Sequence, residues 1–162
     1  MKDLKNLTIE QFASILSQRT PIPGGGAASA LVGALGVSLL MMVTNYSLGK
    51  NKSPGIERRL QKLLAKFDIA SKRLMELVDL DAQAYMNVVE TRNASSEEKR
   101  RALKEARKVP AEIAKLCARA TQSAPYLVTH GNKRLLSDVA VAVEMLAAAH
   151  NGARALLTLE SN

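Results

Sequence analysis

Apolar residues recur at intervals of three and four along most of the chain, which is the spacing of a helix face. Alternation of apolar and polar residues over strand-length windows is scarce, while Ala and Leu, both strong helix formers, dominate. At 162 residues the chain is long enough for one domain with its own core. The pattern therefore predicts an all-α, single-domain bundle of about five to six helices over residues 1–162.

Two helices are predicted in the first third of the chain. The first begins at Thr8, whose hydroxyl can cap the helix while Gln11 completes a T-x-x-Q capping box. Its apolar face consists of Ile9, Phe12, Ala13 and Leu16. The second covers about residues 26–46, and small residues at every fourth position let another backbone approach it, inside the bundle or across a dimer. These small residues are Gly26, Ala30, Ala34 and Ser38.

The third predicted helix is long, about residues 56–91, and its apolar seam follows a heptad pattern. One seam position holds Leu60, Phe67, Leu74, Asp81 and Val88, and the other holds Leu63, Ala70, Leu77 and Ala84. Asp81 is the exception in this seam. A carboxylate at such a position must be solvated, paired or functional, because burying an unpaired charge costs several kcal/mol.

The remainder of the chain is predicted to form two more helices. One begins near Ser95, with Glu98 completing a second capping box, and Pro110 kinks or splits it. After a turn at residues 130–132, the last helix runs from about Ser137, a plausible N-cap, to residue 159.

The segment from Thr20 to Gly26 carries the strongest signal of a ligand site. Its prolines stiffen the chain and its three glycines remove every Cβ atom just before a helix whose free N–H groups point back at the turn. Such a helix start favours anionic or electron-rich atoms. The alternative is a tight turn that only lets two helices touch.

Composition and charge limit the kinds of ligand that the protein is expected to bind. The net charge of +8 fits a solubilising surface, an acidic small-molecule ligand or nucleic acid. Nucleic acid is disfavoured, because the chain has three Tyr, two Phe and no Trp for stacking and shows no basic zipper or helix-turn-helix pattern. The single Cys117 has no Cys or His at ligand spacing, so neither a disulfide nor a metal site is predicted, and a reducing cytoplasm fits.

Neither a signal peptide nor a membrane span is predicted. No basic segment precedes a short apolar stretch at the start of the sequence. The strongly apolar residues 27–43 are fewer than the about 20 that a transmembrane helix needs.

Four motifs in a fixed order make the sequence resemble a known family. Residues 20–26 read Thr-Pro-Ile-Pro-Gly-Gly-Gly, residues 49–50 Gly-Lys, and residues 81–85 Asp-Ala-Gln-Ala-Tyr. The fourth is the segment Gly-Asn-x-x-x-x-Ser-Asp at residues 131–138, with Gly131-Asn132 at its start and Ser137-Asp138 at its end. In this order the motifs resemble the formiminotetrahydrofolate cyclodeaminase and methenyltetrahydrofolate cyclohydrolase family over nearly the whole chain.

The resemblance implies an all-helical cytoplasmic homodimer that binds reduced folate, possibly polyglutamylated, without a metal or nucleotide cofactor. One family reaction closes 5-formiminotetrahydrofolate to 5,10-methenyltetrahydrofolate with release of ammonia. The other hydrolyses the methenyl bridge to 10-formyltetrahydrofolate, and it is the simpler expectation for a chain without a transferase segment. An inactive folate-binding or assembly protein on the same scaffold is the alternative, because family members usually continue through a further helix.

The resemblance also nominates site residues. Asp81, Asp138 and Lys50 are the catalytic candidates, with Asp81 first because desolvation raises the pKa of a carboxyl group toward the range useful for acid–base catalysis. The substrate-binding candidates are Pro23, Gly24, Gly25, Gly26, Asn132 and Ser137. Four of these candidates have a purely structural alternative. Asp81 could form an ion pair, and Asp138 could stabilise a helix dipole. Asn132 could be an ordinary turn residue, and Lys50 could be a solvated cation.

Overall fold

The computed structural model describes residues 3–49 and 53–159, with only the backbone of residue 159. These residues form α-helices and short 3-10 turns and contain no β-strand, so the all-α prediction is confirmed. The helices are α1 (Ile9–Leu16), α2 (Gly25–Asn45), α3 (Pro54–Glu90), α4 (Ser96–Ala106), α5 (Lys108–Thr121), α6 (Ala124–His130) and α7 (Leu136–Leu159). The 3-10 turns are Leu4–Asn6, Thr91–Asn93 and Lys133–Leu135.

Helix α2 packs against α3, α5 and α7 with one side and leaves its other side at the surface. Glycines allow these helices to approach closely: a Cβ on Gly36 would lie 3.0 Å from Leu146 Cγ and 3.2 Å from the carbonyl oxygen of Ala142. By length and composition alone α2 could cross a membrane, but half of its apolar window is buried inside the bundle.

The predicted helix starts are confirmed where a capping box was expected. Thr8 and Ser95 each accept a hydrogen bond from the third residue of the helix, and the side chains of Gln11 and Glu98 accept one in return. The apolar face of α1 is only partly covered, however: Phe12 is buried, but Ile9 is 80% exposed.

The predicted fourth helix is split, at Arg107 rather than at Pro110. Pro110 has no N–H for the carbonyl of Ala106, so the helical hydrogen-bond ladder is interrupted one turn before the proline. A short helix, α6, was not predicted, and Pro125 lies in its first turn, where proline is tolerated. Helix α7 begins at Leu136, one residue before Ser137, so Ser137 lies in the first turn and is not the N-cap.

The heptad seam of α3 is largely confirmed. Leu60, Leu63, Phe67, Leu74 and Leu77 are buried in the core. Asp81 is half-buried, at the point where the seam leaves the core and meets a cavity.

Candidate active site

A cavity of about 410 Å³ opens where the start of α2 meets the second half of α3. One wall is the turn before α2 together with the first residues of that helix, including Gly24, Gly25 and Gly26. The other walls come from α3, α4, α5 and α7. Its volume falls in the range typical of small-molecule sites. The side chains facing it are mostly apolar: Pro21, Ile22, Ala84, Tyr85, Val88, Leu103, Ala106, Pro110 and Leu156, with Asp81 among them.

The Asp81 carboxylate is held against the first turn of α2. Its Oδ2 accepts a hydrogen bond of 2.8 Å from the backbone N–H of Ala27, the third residue of the helix. The N-cap residue Gly24 has no side chain to cap the helix, so Asp81 satisfies one of the amide groups that every helix start leaves open. A residue 54 positions away thus provides the cap.

Gly26 is required by this arrangement. A Cβ atom on Gly26 would overlap the Asp81 carboxylate, including Oδ2 at 2.7 Å. By contrast, a Cβ on Gly24 would meet nothing within 4 Å. Within the glycine triplet it is therefore Gly26 that makes room for the carboxylate, and the tight-turn alternative does not account for this contact.

The electrostatics of this wall combine one carboxylate with apolar surroundings. A hydrogen bond from a helix N-terminal amide stabilises the ionised form of a carboxylate. A negative charge fixed beside an apolar cavity attracts a cationic ligand more strongly than one in open water does. The cavity is thus suited to a partly apolar ligand that carries positive charge next to Asp81.

The cavity is bounded by the junction between α4 and α5. The guanidinium of Arg107 donates a hydrogen bond of 3.1 Å to the carbonyl oxygen of Leu157 near the end of α7. Leu103 and Ala106 precede this junction and Pro110 follows it, and all three line the cavity.

Asn132, Ser137 and Asp138 lie at the opposite end of α2. The Asn132 backbone N–H donates a hydrogen bond of 2.8 Å to Ser47 Oγ, just after the C-terminus of α2, and its Oδ1 accepts one from Arg134 N–H. Because α2 has 21 residues, its two ends are about 31 Å apart. One chain therefore does not bring these candidates to the Asp81 cavity.

Pro23 is buried and does not line the cavity, whereas its neighbours Pro21 and Ile22 do. Lys50 lies outside the described residues.

Known proteins share both the sequence pattern and the fold of this chain. Residues 8–162 match the family model for formiminotransferase-cyclodeaminase. The chain belongs to the formiminotransferase-cyclodeaminase family. Its fold matches the crystal structure of formiminotetrahydrofolate cyclodeaminase from Thermotoga maritima with a TM-score of 0.93 at 27% identity, covering 97% of this chain and 79% of that one.

Two curated members of the family are similar in sequence. A methenyltetrahydrofolate cyclohydrolase of Methylorubrum extorquens is 32% identical over 85% of this chain and 71% of its own length. The mouse formimidoyltransferase-cyclodeaminase is 30% identical over 90% of this chain, which spans only 29% of that protein.

Several cavity residues of this family member were not predicted as site residues. Tyr85 stood in the Asp-Ala-Gln-Ala-Tyr motif and could have been nominated from it. Leu103, Pro110 and Leu156 come from three other helices, and only tertiary packing brings them to Asp81.

Proposed function

We propose that this chain acts on the N5–N10 bridge of tetrahydrofolate. It either hydrolyses 5,10-methenyltetrahydrofolate to 10-formyltetrahydrofolate or closes 5-formiminotetrahydrofolate to the methenyl compound with release of ammonia. The observation that carries the proposal is the Asp81 carboxylate, held by Ala27 N–H at the wall of an apolar cavity. The names of the family relatives, a cyclohydrolase and cyclodeaminases, support it.

The chemistry of both reactions suits a carboxylate in this position. The methenyl bridge is a cationic amidinium, so a nearby negative charge stabilises it when bound. In hydrolysis, water forms a C–O bond at the bridge carbon and loses a proton. The N5–C bond then breaks, N5 takes up a proton, and the hydroxyl proton is released as the formyl group forms. Asp81 can accept and return the proton within this sequence.

Deamination uses the same groups. N10 attacks the formimino carbon and loses its proton, and the exocyclic nitrogen gains protons and leaves as ammonia. The product is the same amidinium cation that Asp81 would stabilise. No metal ion or nucleotide cofactor is part of this proposal, because a proton-transfer group and a fixed charge suffice for either direction.

The proposal includes a homodimer formed through the outer face of α2. That face is apolar along its whole length, with Leu35 45% exposed and Tyr46 59% exposed. It consists of Ala28, Leu31, Val32, Leu35, Leu39, Met42 and Tyr46. An apolar surface of this length is typical of an interface, and closed two-fold pairing would cover it on both subunits.

Antiparallel pairing of the two α2 helices would also complete the site. A two-fold axis perpendicular to α2 places the start of one helix beside the end of the other. The Asp81 cavity of one subunit would then face Asn132 of the partner subunit, and the motifs that are about 31 Å apart within one chain would meet. In this arrangement Asp138 of the partner subunit is a second acid–base candidate.

The tail of the substrate would meet positive charge. Helix α4 and its junction with α5 border the cavity and carry basic residues that can attract the glutamate or polyglutamate carboxylates of folate. These are Lys99, Arg100, Arg101, Lys104, Arg107 and Lys108. Lys50 stays a catalytic candidate of this proposal. A cytoplasmic location, where reduced folates are used, is also part of it.

The decisive experiment is an assay of the purified chain with both folates. Loss of absorbance of 5,10-methenyltetrahydrofolate faster than in buffer indicates the cyclohydrolase, and ammonia release from 5-formiminotetrahydrofolate indicates the cyclodeaminase. Asp81→Asn should lower turnover by about 100-fold or more, as loss of a general acid–base group does. Asp68→Asn, on the same helix with its carboxylate paired to Lys72, is the control and should leave turnover unchanged. Undiminished turnover in Asp81→Asn would remove Asp81 from the mechanism.

A further inference from the structure

A second cavity, of about 580 Å³, lies between the first half of α3 and the second half of α5. The ion pair of Arg73 with Glu112 separates it from the Asp81 cavity along the seam between α3 and α5. Arg73 Nε lies 2.7 Å from Glu112 Oε1, and hydrogen bonding to this guanidinium holds the pKa of Glu112 below its usual value. Phe67, on the cavity floor, is about 21 Å along α3 from Asp81, so the two cavities are distinct sites.

The floor of this second cavity is apolar. Leu63, Phe67 and Ala120 are buried in the core and present one side to it, and Ala70 and Leu116 are half-buried beside them. Such a surface favours the hydrocarbon or aromatic part of a ligand, because its contact with water is lost on binding.

Every ionisable side chain that lines the cavity is cationic: Arg59 and Lys66 from α3, and Arg119 from α5. None of the three forms an ion pair with another residue in the described ranges 3–49 and 53–159. The Arg59 guanidinium instead lies 5.2 Å from the centre of the Tyr126 ring, which keeps it near the cavity.

This absence of acidic partners distinguishes the cavity from the basic helix α4. There, Arg101 pairs with Glu97 and, at the junction with α5, Lys108 pairs with Glu105. The positive charge around the second cavity is therefore available to an external anion, and its local field would concentrate one there.

We propose that the second cavity binds an amphipathic anion, with an apolar body and at least two negative groups. Arg59 and Lys66 are seven residues apart on one side of α3, about 10 Å along the helix, and Arg119 faces them across the groove. This spacing fits carboxylate, phosphate or sulfonate groups at two ends of a ring or chain that rests on Phe67. The site does not depend on the folate reaction, and its occupant is a small molecule.

The test uses bis-ANS, an aromatic dianion whose fluorescence rises on binding to apolar surface, with the full-length protein. In the variant Lys66→Gln/Arg119→Gln we expect the affinity for bis-ANS to fall at least about tenfold, since both charges lie at the cavity. The control Lys99→Gln/Lys104→Gln changes the net charge equally on α4, outside this cavity, and should change the affinity less than about twofold. All four positions are exposed, so the variants are expected to fold.

Three other outcomes would overturn the proposal. Equal losses in both variants would indicate non-specific attraction, and unchanged affinity in Lys66→Gln/Arg119→Gln would place bis-ANS elsewhere. Salt-sensitive binding of a single-stranded oligonucleotide that requires Lys66 and Arg119, without an effect on bis-ANS, would identify a nucleic-acid surface instead. Changes in the chemical shifts of the Ile69 and Ser123 amides on titration with naphthalene-1,5-disulfonate would locate the site independently. Folate turnover in Lys66→Gln/Arg119→Gln should equal that of the original protein, because neither residue lines the Asp81 cavity.

Discussion

The Asp81 carboxylate occupies the space in which a side chain on Gly26 would stand. The two residues are 55 positions apart, and a hydrogen bond of 2.8 Å from the neighbouring Ala27 N–H to Asp81 Oδ2 holds the carboxylate in place. The Gly-rich turn and the acidic break in the α3 seam, which look like independent features of the sequence, are therefore two halves of one structure.

Gly26→Ala should consequently disturb both stability and activity. The added methyl group overlaps the carboxylate, and overpacking of this kind costs about 1–3 kcal/mol in the free energy of unfolding. Displacing a catalytic group by about 1 Å costs about 100-fold in rate, so we expect a loss of that order in folate turnover. Urea denaturation and the methenyltetrahydrofolate assay measure the two effects.

Gly55→Ala is the matched control for this change. A Cβ on Gly55 meets nothing within 4 Å, and Ala in a helix is favoured over Gly by about 0.5–1 kcal/mol. We expect this variant to be as stable as the original protein or more so, with normal turnover. Equal behaviour of the two alanine variants would contradict the proposed contact between Gly26 and Asp81.

A second acidic residue of α3, Asp79, should matter for stability. It is only 8% exposed, and its Oδ1 accepts hydrogen bonds of 2.6 Å from Leu4 N–H and 3.3 Å from Lys5 N–H. Asp79→Ala removes this acceptor from a buried amide, which costs about 1–3 kcal/mol. Asp79→Asn keeps an acceptor and should cost less. Thermal unfolding of both variants tests the role of Asp79 in attaching the N-terminal segment. The control is Asp68→Ala, because Asp68 is half-exposed and pairs only with Lys72 on the same helix.

Of the two aspartates, Asp81 could be predicted as a site residue from the sequence, and the burial of Asp79 could not. Asp81 was predicted because it occupies a seam position of the heptad pattern, where an apolar residue is expected. Asp79 lies on the outer side of the same pattern, where a charged residue is ordinary. In the folded chain the 3-10 turn Leu4–Asn6 contacts it, and the hydrogen bond from Leu4 N–H to its carboxylate spans 75 residues.

The fold and the site likewise have features that local sequence patterns predict and features that depend on distant contacts. Caps such as Thr8 and Ser95 depend on neighbours three residues away, so local patterns predicted them. The cavity walls at Leu103 and Leu156 depend on how α4 and α7 pack, and no local pattern encodes that. The separation of Asn132 from Asp81 likewise depends on tertiary packing, which puts the two residues at opposite ends of α2.

The proposed dimer makes a prediction about the outer face of α2. Leu35→Glu places a charge in the middle of this face, and burying an unpaired carboxylate there would be costly. We expect the variant to sediment near the monomer mass of 17.5 kDa at micromolar concentration, whereas the original protein sediments at twice that mass. Val128→Glu is the control, because Val128 on α6 has the same 45% exposure as Leu35. A monomeric original protein would exclude the shared site.

The antiparallel arrangement can be tested by mixing two inactive variants. If each site combines Asp81 of one subunit with Asn132 of the other, a dimer of one Asp81→Asn chain and one Asn132→Ala chain retains one intact site. Random pairing makes half of the dimers mixed, so co-expression should restore about one quarter of the original turnover. Co-expression of Asp81→Asn with Gly26→Ala should restore none, because both changes damage the same cavity and every mixed dimer has two damaged sites. Recovery in neither mixture would show that Asn132 does not complete the partner's site, and it would leave the role of Asp81 to be judged by its own variant.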